Sequence, residues 1–125
     1  GADGVQVGSR FAATKESSAH DHFKQMIVNV KDGDTQLTLK ELAPVRLVKN
    51  KFYHQVQELY KQNPTIEQIK DLLGRARAKK GMFEGDLENG ELEIGQVAGM
   101  IHEIKSAKEV IDDMMQEFDA IKREF

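Results

Sequence analysis

The stretch Gly1-Ala2-Asp3-Gly4-Val5-Gln6-Val7-Gly8-Ser9-Arg10-Phe11 decides how the rest of the chain is read. Val5 and Val7 alternate with Gln6, the two-residue period of a strand, so Asp3 to Val7 predicts a short buried strand. Gly8-Ser9-Arg10 then predicts the turn that ends it. A lone strand leaves its backbone N–H and C=O groups without partners, and the downstream sequence is mainly helical in spacing. Two readings follow: an all-helical protein with a frayed start, or further strands supplied by residues outside this sequence. No Met precedes Gly1 and the alternation begins at once, as expected of a piece of a longer chain.

Downstream, Ser17 and Ser18 can cap a helix over about Ala19 to Val30, with Phe23, Ile27 and Val30 on one side, and Asp32-Gly33-Asp34 breaks it. Gln36 to Leu42 is ambiguous, because Leu37 and Leu39 alternate while Pro44 suits the first position of a helix. From Pro44 onward, Val45, Val48, Phe52, Val56, Leu59 and Tyr60 recur at helical spacing. Thr65 to Gln68 has the form of a capping box, and Ile66, Ile69, Leu72, Leu73 and Ala76 extend an apolar stripe to a stop near Gly81. An acidic loop punctuated by Gly85, Gly90 and Gly95 precedes a short helix over Gly95 to Ile104. A second capping box, Ser106 to Glu109, opens a last helix with Ala107, Val110, Ile111, Met114, Phe118, Ile121 and Phe125 on its apolar face.

A chain of 125 residues with 39% hydrophobic and 31% charged side chains has the composition of one folded domain. The absence of Cys excludes disulfides, thiolate metal sites and thiol nucleophiles, and permits a reducing cytoplasm. Apolar runs such as Met26-Ile27-Val28 fall far short of the ~20 residues of a membrane helix, and residues 1–11 have neither the basic nor the apolar region expected of a secretory signal. The net charge of −3 is unevenly spread: residues 1–80 carry +5 and residues 81–125 carry −8. With 6% aromatic residues and no Trp, the basic part lacks the interleaved aromatics of a nucleic-acid surface.

Among local constellations, Gly8-Ser9-Arg10 after a strand has the elements of an anion cradle, with close backbone approach, successive N–H groups and a hydroxyl; an ordinary strand-ending turn has the same sequence. His20-Asp21-His22 resembles a metal pair, but residues two apart on a helix point to nearly opposite sides, which favours a solvated first turn. His54 and His102 read as surface residues. The acidic loop, aligned as a calcium loop from Asp86, puts Gly90 one position early and Val97 where the bidentate carboxylate belongs, so that reading fails. Arg75, Arg77, Lys79 and Lys80, with Arg46, Lys49 and Lys51 before them, form either a docking surface for an acidic partner or pyrophosphate, or a solvated face.

The opening stretch closely resembles the last-strand motif of the superfamily that unites flavin-dependent enoyl-acyl-carrier-protein reductase II with nitronate monooxygenase. Val45-Arg46-Leu47-Val48-Lys49-Asn50-Lys51-Phe52 and Glu84-Gly85-Asp86-Leu87-Glu88-Asn89-Gly90, followed by Gly95-Gln96-Val97-Ala98-Gly99, resemble the reductase branch in order and spacing. The resemblance implies an α/β fold, the C-terminal portion of a (β/α)₈ TIM barrel. This chain would itself be mostly α-helical and would contribute the last barrel strand. Residues 1–31 would hold that strand, the phosphate loop and the following helix, and residues 32–125 a C-terminal helical extension of the same domain.

The resemblance further implies FMN at the C-terminal end of the barrel, its phosphate held by Gly8 and Ser9, with Gly95 and Gln96 against the flavin. NADH or NADPH would supply reducing equivalents, passed through the flavin to a trans-2-enoyl group carried by acyl carrier protein in fatty acid synthesis. No catalytic residue and no metal site is expected in this chain, because the family's proposed catalytic His lies upstream of Gly1 and none of the four His matches it. The carrier is acidic, so Arg46, Lys49, Arg75, Arg77, Lys79 and Lys80 become candidates for docking it, with a contact to the 2′-phosphate of NADPH as a competing use. The remaining partners implied are the N-terminal barrel portion and a possible second copy, without nucleic acid or membrane, in the cytoplasm. The rival readings are a nitronate monooxygenase, which uses FMN and O₂, and a non-enzymatic helical interaction module.

Overall fold

In a computed structural model, which describes residues 1–125, the chain runs α1 (Ser9–Ala12), α2 (Asp21–Asn29), β1 (Thr35–Thr38), β2 (Val45–Val48), α3 (Lys51–Tyr60), α4 (Ile66–Leu73), α5 (Arg77–Met82), a 3₁₀ turn (Gln96–Met100) and α6 (Ala107–Glu124). No helix is long and apolar enough to cross a membrane.

Both predicted capping boxes are present. The Thr65 hydroxyl accepts from the Gln68 N–H at 3.2 Å while Gln68 accepts from the Thr65 N–H at 2.8 Å. Ser106 and Glu109 do the same at the start of α6. α2 begins two residues later than its serines predict, because the His20 Nδ1 caps it by accepting the His22 N–H at 3.0 Å. The helix ends where Asp34 accepts the Lys31 N–H at 2.8 Å and Gly33 takes a φ of +86°.

Three expectations are corrected. Asp3 to Val7 forms no ladder, since no backbone group of residues 1–7 finds a hydrogen-bond partner within the chain. The two strands lie elsewhere: Thr35–Thr38 pairs antiparallel with Val45–Val48, Leu37 opposite Arg46. The continuous helix expected from Pro44 is therefore a β-branched strand followed by α3, and Asn50 is the punctuation between them. Its side chain accepts the Tyr53 N–H at 3.0 Å as the helix N-cap. The stripe from Ile66 toward Gly81 is likewise two helices. Gly74 (φ +65°) and Ala76 (φ +57°) turn the chain left-handed between α4 and α5, and Gly81 sits inside α5.

The buried residues form two clusters. Phe23, Ile27, Val30, Leu92, Ile94, Ala98 and Ile101 gather around α2, and Leu47, Phe52, Tyr53, Val56 and Ile69 around α3. The extended strip 91–95 joins them. Val48 donates to the Leu92 carbonyl at 2.9 Å and Ile94 to the Arg46 carbonyl at 3.3 Å, so the strip lies along the free edge of β2.

Candidate functional site

Gly8-Ser9 and Gly95-Gln96, separated by 86 residues from Ser9 to Gly95, meet in the fold. The Ser9 Oγ accepts the Gly95 N–H at 2.8 Å. That bond fixes the hydroxyl oxygen and leaves its proton free to be donated. The N–H groups of Ser9 and Arg10 have no acceptor within the chain. Arg10 holds the turn in place through its guanidinium, which donates to the carbonyls of Ala13 at 3.3 Å and Glu103 at 3.0 Å.

Gly95 has ordinary dihedrals (φ −69°, ψ 157°), so its lack of a side chain serves approach and not backbone freedom. A Cβ there would stand 2.7 Å from the Ser9 Oγ. At Gly8 a Cβ would meet nothing within 4 Å, because that side is open. An open cleft of about 440 Å³ begins there, lined by Gly8, Ser9, Arg46, Glu93 and Gly95 among others. Gln96 is exposed at the start of the 3₁₀ turn, with its amide free of intrachain bonds.

The strip leading into Gly95 carries a feature that the sequence reading missed. Glu91 is only 7% exposed, and burial, with the neighbouring Glu93 carboxyl, raises its pKa to about 7, against the opposing pull of Arg77. Burial and a second carboxyl both disfavour the charged form, so Glu91 holds its proton above the usual carboxylate range. A carboxyl whose folded pKa is raised from 4.5 contributes stability that is complete below pH 4.5 and lost as pH climbs through 7. Glu91→Gln is therefore expected to be more stable than the parent at pH 8 by roughly 1–3 kcal/mol, with the gap closing toward pH 4.5. Urea midpoints measured across that range check this; parallel curves would contradict it.

The six basic candidates are not equivalent. Arg46 donates to the Thr35 carbonyl and hydroxyl at 3.3 and 3.2 Å. Arg77 is engaged within the fold, donating to the carbonyls of Leu72, Leu73 and Asn89 and lying 4.6 Å over the Phe52 ring. Lys79 faces Glu84 at 3.9 Å and Lys80 faces Asp86 at 3.8 Å, both largely solvated. Lys49 and Arg75 are exposed with no acidic side chain bound to them.

The His20 and His22 rings pack edge to face, and the His22 Nδ1 lies 3.3 Å from the Gly85 carbonyl, so the pair joins the start of α2 to the acidic loop. Asp86 folds that loop by accepting the N–H groups of Glu88 and Asn89 at 3.1 and 2.9 Å. The two later sequence motifs also touch each other. The Asn50 amide donates to the carbonyls of Leu87 at 2.9 Å and Gly90 at 2.8 Å, and the Phe52 N–H to Glu88 at 3.0 Å.

Residues 1–117 match the family model described as nitronate monooxygenase. The chain belongs to the nitronate monooxygenase family. Within it, a probable nitronate monooxygenase of Bacillus subtilis is 30% identical over 118 residues, covering 94% of this chain and 34% of that protein. A second, from Staphylococcus saprophyticus, is 29% identical over 122 residues, covering 97% and 34%. FabK from Thermotoga maritima superposes with a TM-score of 0.88 at 37% identity, over 99% of this chain and 39% of that one. A variant of the same protein gives a TM-score of 0.81 at 33% identity. The chain thus spans about a third of the length of the curated relatives it matches. The superfamily expected from the motifs is the one found, and the mostly helical architecture with a two-stranded sheet is that of part of a FabK-like barrel enzyme.

Proposed function

We propose that this chain is the C-terminal part of an FMN-dependent (β/α)₈ oxidoreductase and builds the phosphate end of its flavin site. The observation that carries the reading is the Ser9–Gly95 contact, which joins two distant motifs into one donor cluster. A phosphate fits that cluster: the Ser9 hydroxyl proton and the N–H groups of Ser9 and Arg10 are unengaged, and Gly95 leaves the approach unobstructed. Bound FMN would supply the redox chemistry, with hydride taken from NADH or NADPH. The chain's own residues bind and orient: Gly8 and Ser9 at the phosphate, Gly95 as the close-approach point, and Gln96 as a free amide beside it.

Within the family, the reading is the reductase that acts on trans-2-enoyl groups of acyl carrier protein in fatty acid synthesis. Similarity to FabK at 37% identity, above the 30% and 29% of the two probable nitronate monooxygenases, supports it, as do the motifs at Val45–Phe52 and Glu84–Gly90. NAD(P)H consumption with an enoyl thioester, against oxygen uptake with an alkyl nitronate, separates the two; oxygen uptake alone would overturn the reductase. For carrier docking, Lys49 and Arg75 are the free cations. Lys49→Glu with Arg75→Glu is expected to raise KM for the carrier-bound substrate roughly tenfold at low salt while kcat holds, an effect that salt removes. A KM unchanged at low salt would contradict this docking surface.

A further inference from the structure

The strip from Glu91 to Gly95 is held at both ends and along its length. The Glu91 N–H donates to the Arg77 carbonyl of α5 at 3.0 Å, Leu92 and Ile94 bond the edge of β2, and the Gly95 N–H ends on the Ser9 Oγ. Glu91 and Glu93 stand two residues apart on it, and side chains at that spacing on an extended segment leave the same side. Neither carboxyl belongs to an ion pair. Glu91 is buried, whereas Glu93 is half-buried and lines the cleft that opens on Gly8, Ser9 and Gly95. Two extended residues, about 7 Å of chain, separate Glu93 from Gly95, which is within the ~8 Å screening length at physiological ionic strength.

The cations around the pair are occupied elsewhere. Arg77 opposes the retention of a proton by Glu91, but its guanidinium donates to three backbone carbonyls and lies over the Phe52 ring. Arg46 of β2 lines the same cleft with its Nη1 given to Thr35, and Lys49 beyond it binds no acid. In the acidic loop, Asp86 accepts the loop's own N–H groups and faces Lys80, and Glu88 is exposed. A second negative charge on the pair therefore has no ion-pair partner. Resting on the reading of the Ser9–Gly95 cluster as a phosphate site, we propose that the Glu91–Glu93 pair regulates the charge of that site: a phosphate is bound together with a proton taken up by the pair, and is released as the pair gives that proton up. Each proton held removes one negative charge from beside the cleft, so proton and phosphate stabilise each other, and the coupling is reciprocal. With the Glu91 carboxyl raised from 4.5 to about 7, the proton is present below that value and lost above it, and phosphate affinity falls in the same direction.

The test is calorimetric titration of the purified parent and Glu91→Gln with FMN and with riboflavin, from about pH 6 to about pH 8.5, in two buffers of different ionisation enthalpy. Relative to Glu91→Gln, whose amide has no proton to lose, the parent's FMN affinity is expected to fall roughly three- to tenfold over that range. Near neutral pH the parent should also take up a fraction of a proton more per FMN bound. Titration of the FMN phosphate itself is common to both proteins and cancels between them. Riboflavin, which lacks the phosphate, should not distinguish them. Glu93→Gln gives a second reading: removing the carboxyl that lines the cleft should tighten FMN binding relative to the parent at the alkaline end. FMN affinities that follow pH identically in the parent and both variants would overturn the inference and leave the FMN reading standing. A difference that riboflavin shares would place the effect away from the phosphate and overturn it too. A parent that binds no FMN at either end of the range would overturn both readings.

Discussion

Gly90→Ala should cost about 3–5 kcal/mol of stability and leave much of the protein unfolded at 37 °C. A Cβ at residue 90 would stand 2.3 Å from the Gly81 Cα and 2.5 Å from both the Gly81 N and the Asp86 carbonyl oxygen. All three are backbone atoms, so no rotamer relieves the overlap, and either α5 or the acidic loop must move. Gly81 is confined less severely, since its Cβ would meet the end of the Leu92 side chain at 2.6 Å and backbone atoms only at 3.3 Å. Thermal melts of Gly90→Ala beside Gly33→Ala separate close packing from backbone freedom. Gly33 has a positive φ but open space around it, so only a modest strain of ~1 kcal/mol is expected there. Equal losses at the two positions would contradict the close-packing argument.

Asn50→Asp is the second large effect, with an expected loss of about 2–4 kcal/mol. Asp keeps the oxygen that caps α3 at the Tyr53 N–H, but replaces the amide that serves the carbonyls of Leu87, Glu88 and Gly90 with a charge facing them. Asn50→Ala loses both functions, yet it introduces no repulsion. Asp should therefore be at least as damaging as Ala in urea unfolding near neutral pH. An Asp variant as stable as the parent would mean that the cap alone matters and that the loop is held elsewhere.

These two residues show what was legible in the sequence. Caps are local, so the Thr65 and Ser106 boxes and the helix that follows each are legible, whereas of the apolar face expected on α6 the fold buries only Val110. The β1–β2 hairpin was missed because Val45-Arg46-Leu47-Val48 fits helical spacing as well as alternation, and only its pairing with Thr35–Thr38 and the strip at Leu92 decides between them. Asn50 stood in a quoted motif, but its bonds reach 37 to 40 residues away, beyond any local signal. At Gly74 the break between α4 and α5 has a local cue, a glycine followed by Arg75-Ala76-Arg77, which the continuing stripe of leucines masked. Glu91 gives no local signal, because burial beside Glu93 is a property of the packed strip.

For the candidate site, family resemblance named Gly8, Ser9, Gly95 and Gln96, and the fold adds the bond that unites them. It also distinguishes among the basic residues. Arg77 is an internal brace stacked on Phe52, whereas Lys49 and Arg75 keep their charges in solvent. Lys49 lies in the link between β2 and α3, Arg75 in the turn between α4 and α5, and Arg77 at the start of α5, and no spacing rule separates their roles.

The central claim is that the Ser9–Gly95 contact is the phosphate end of a flavin site, and the most direct measurement is FMN affinity by fluorescence titration of the parent, Ser9→Ala and Gly95→Ala. The account predicts that the parent binds FMN stoichiometrically. Both variants should bind roughly 10–100-fold more weakly, the loss of one charge-assisted hydrogen bond or of close approach to the phosphate. Their affinities for riboflavin, which lacks the phosphate, should change far less. A parent that binds no FMN, or variants that weaken FMN and riboflavin equally, would contradict it.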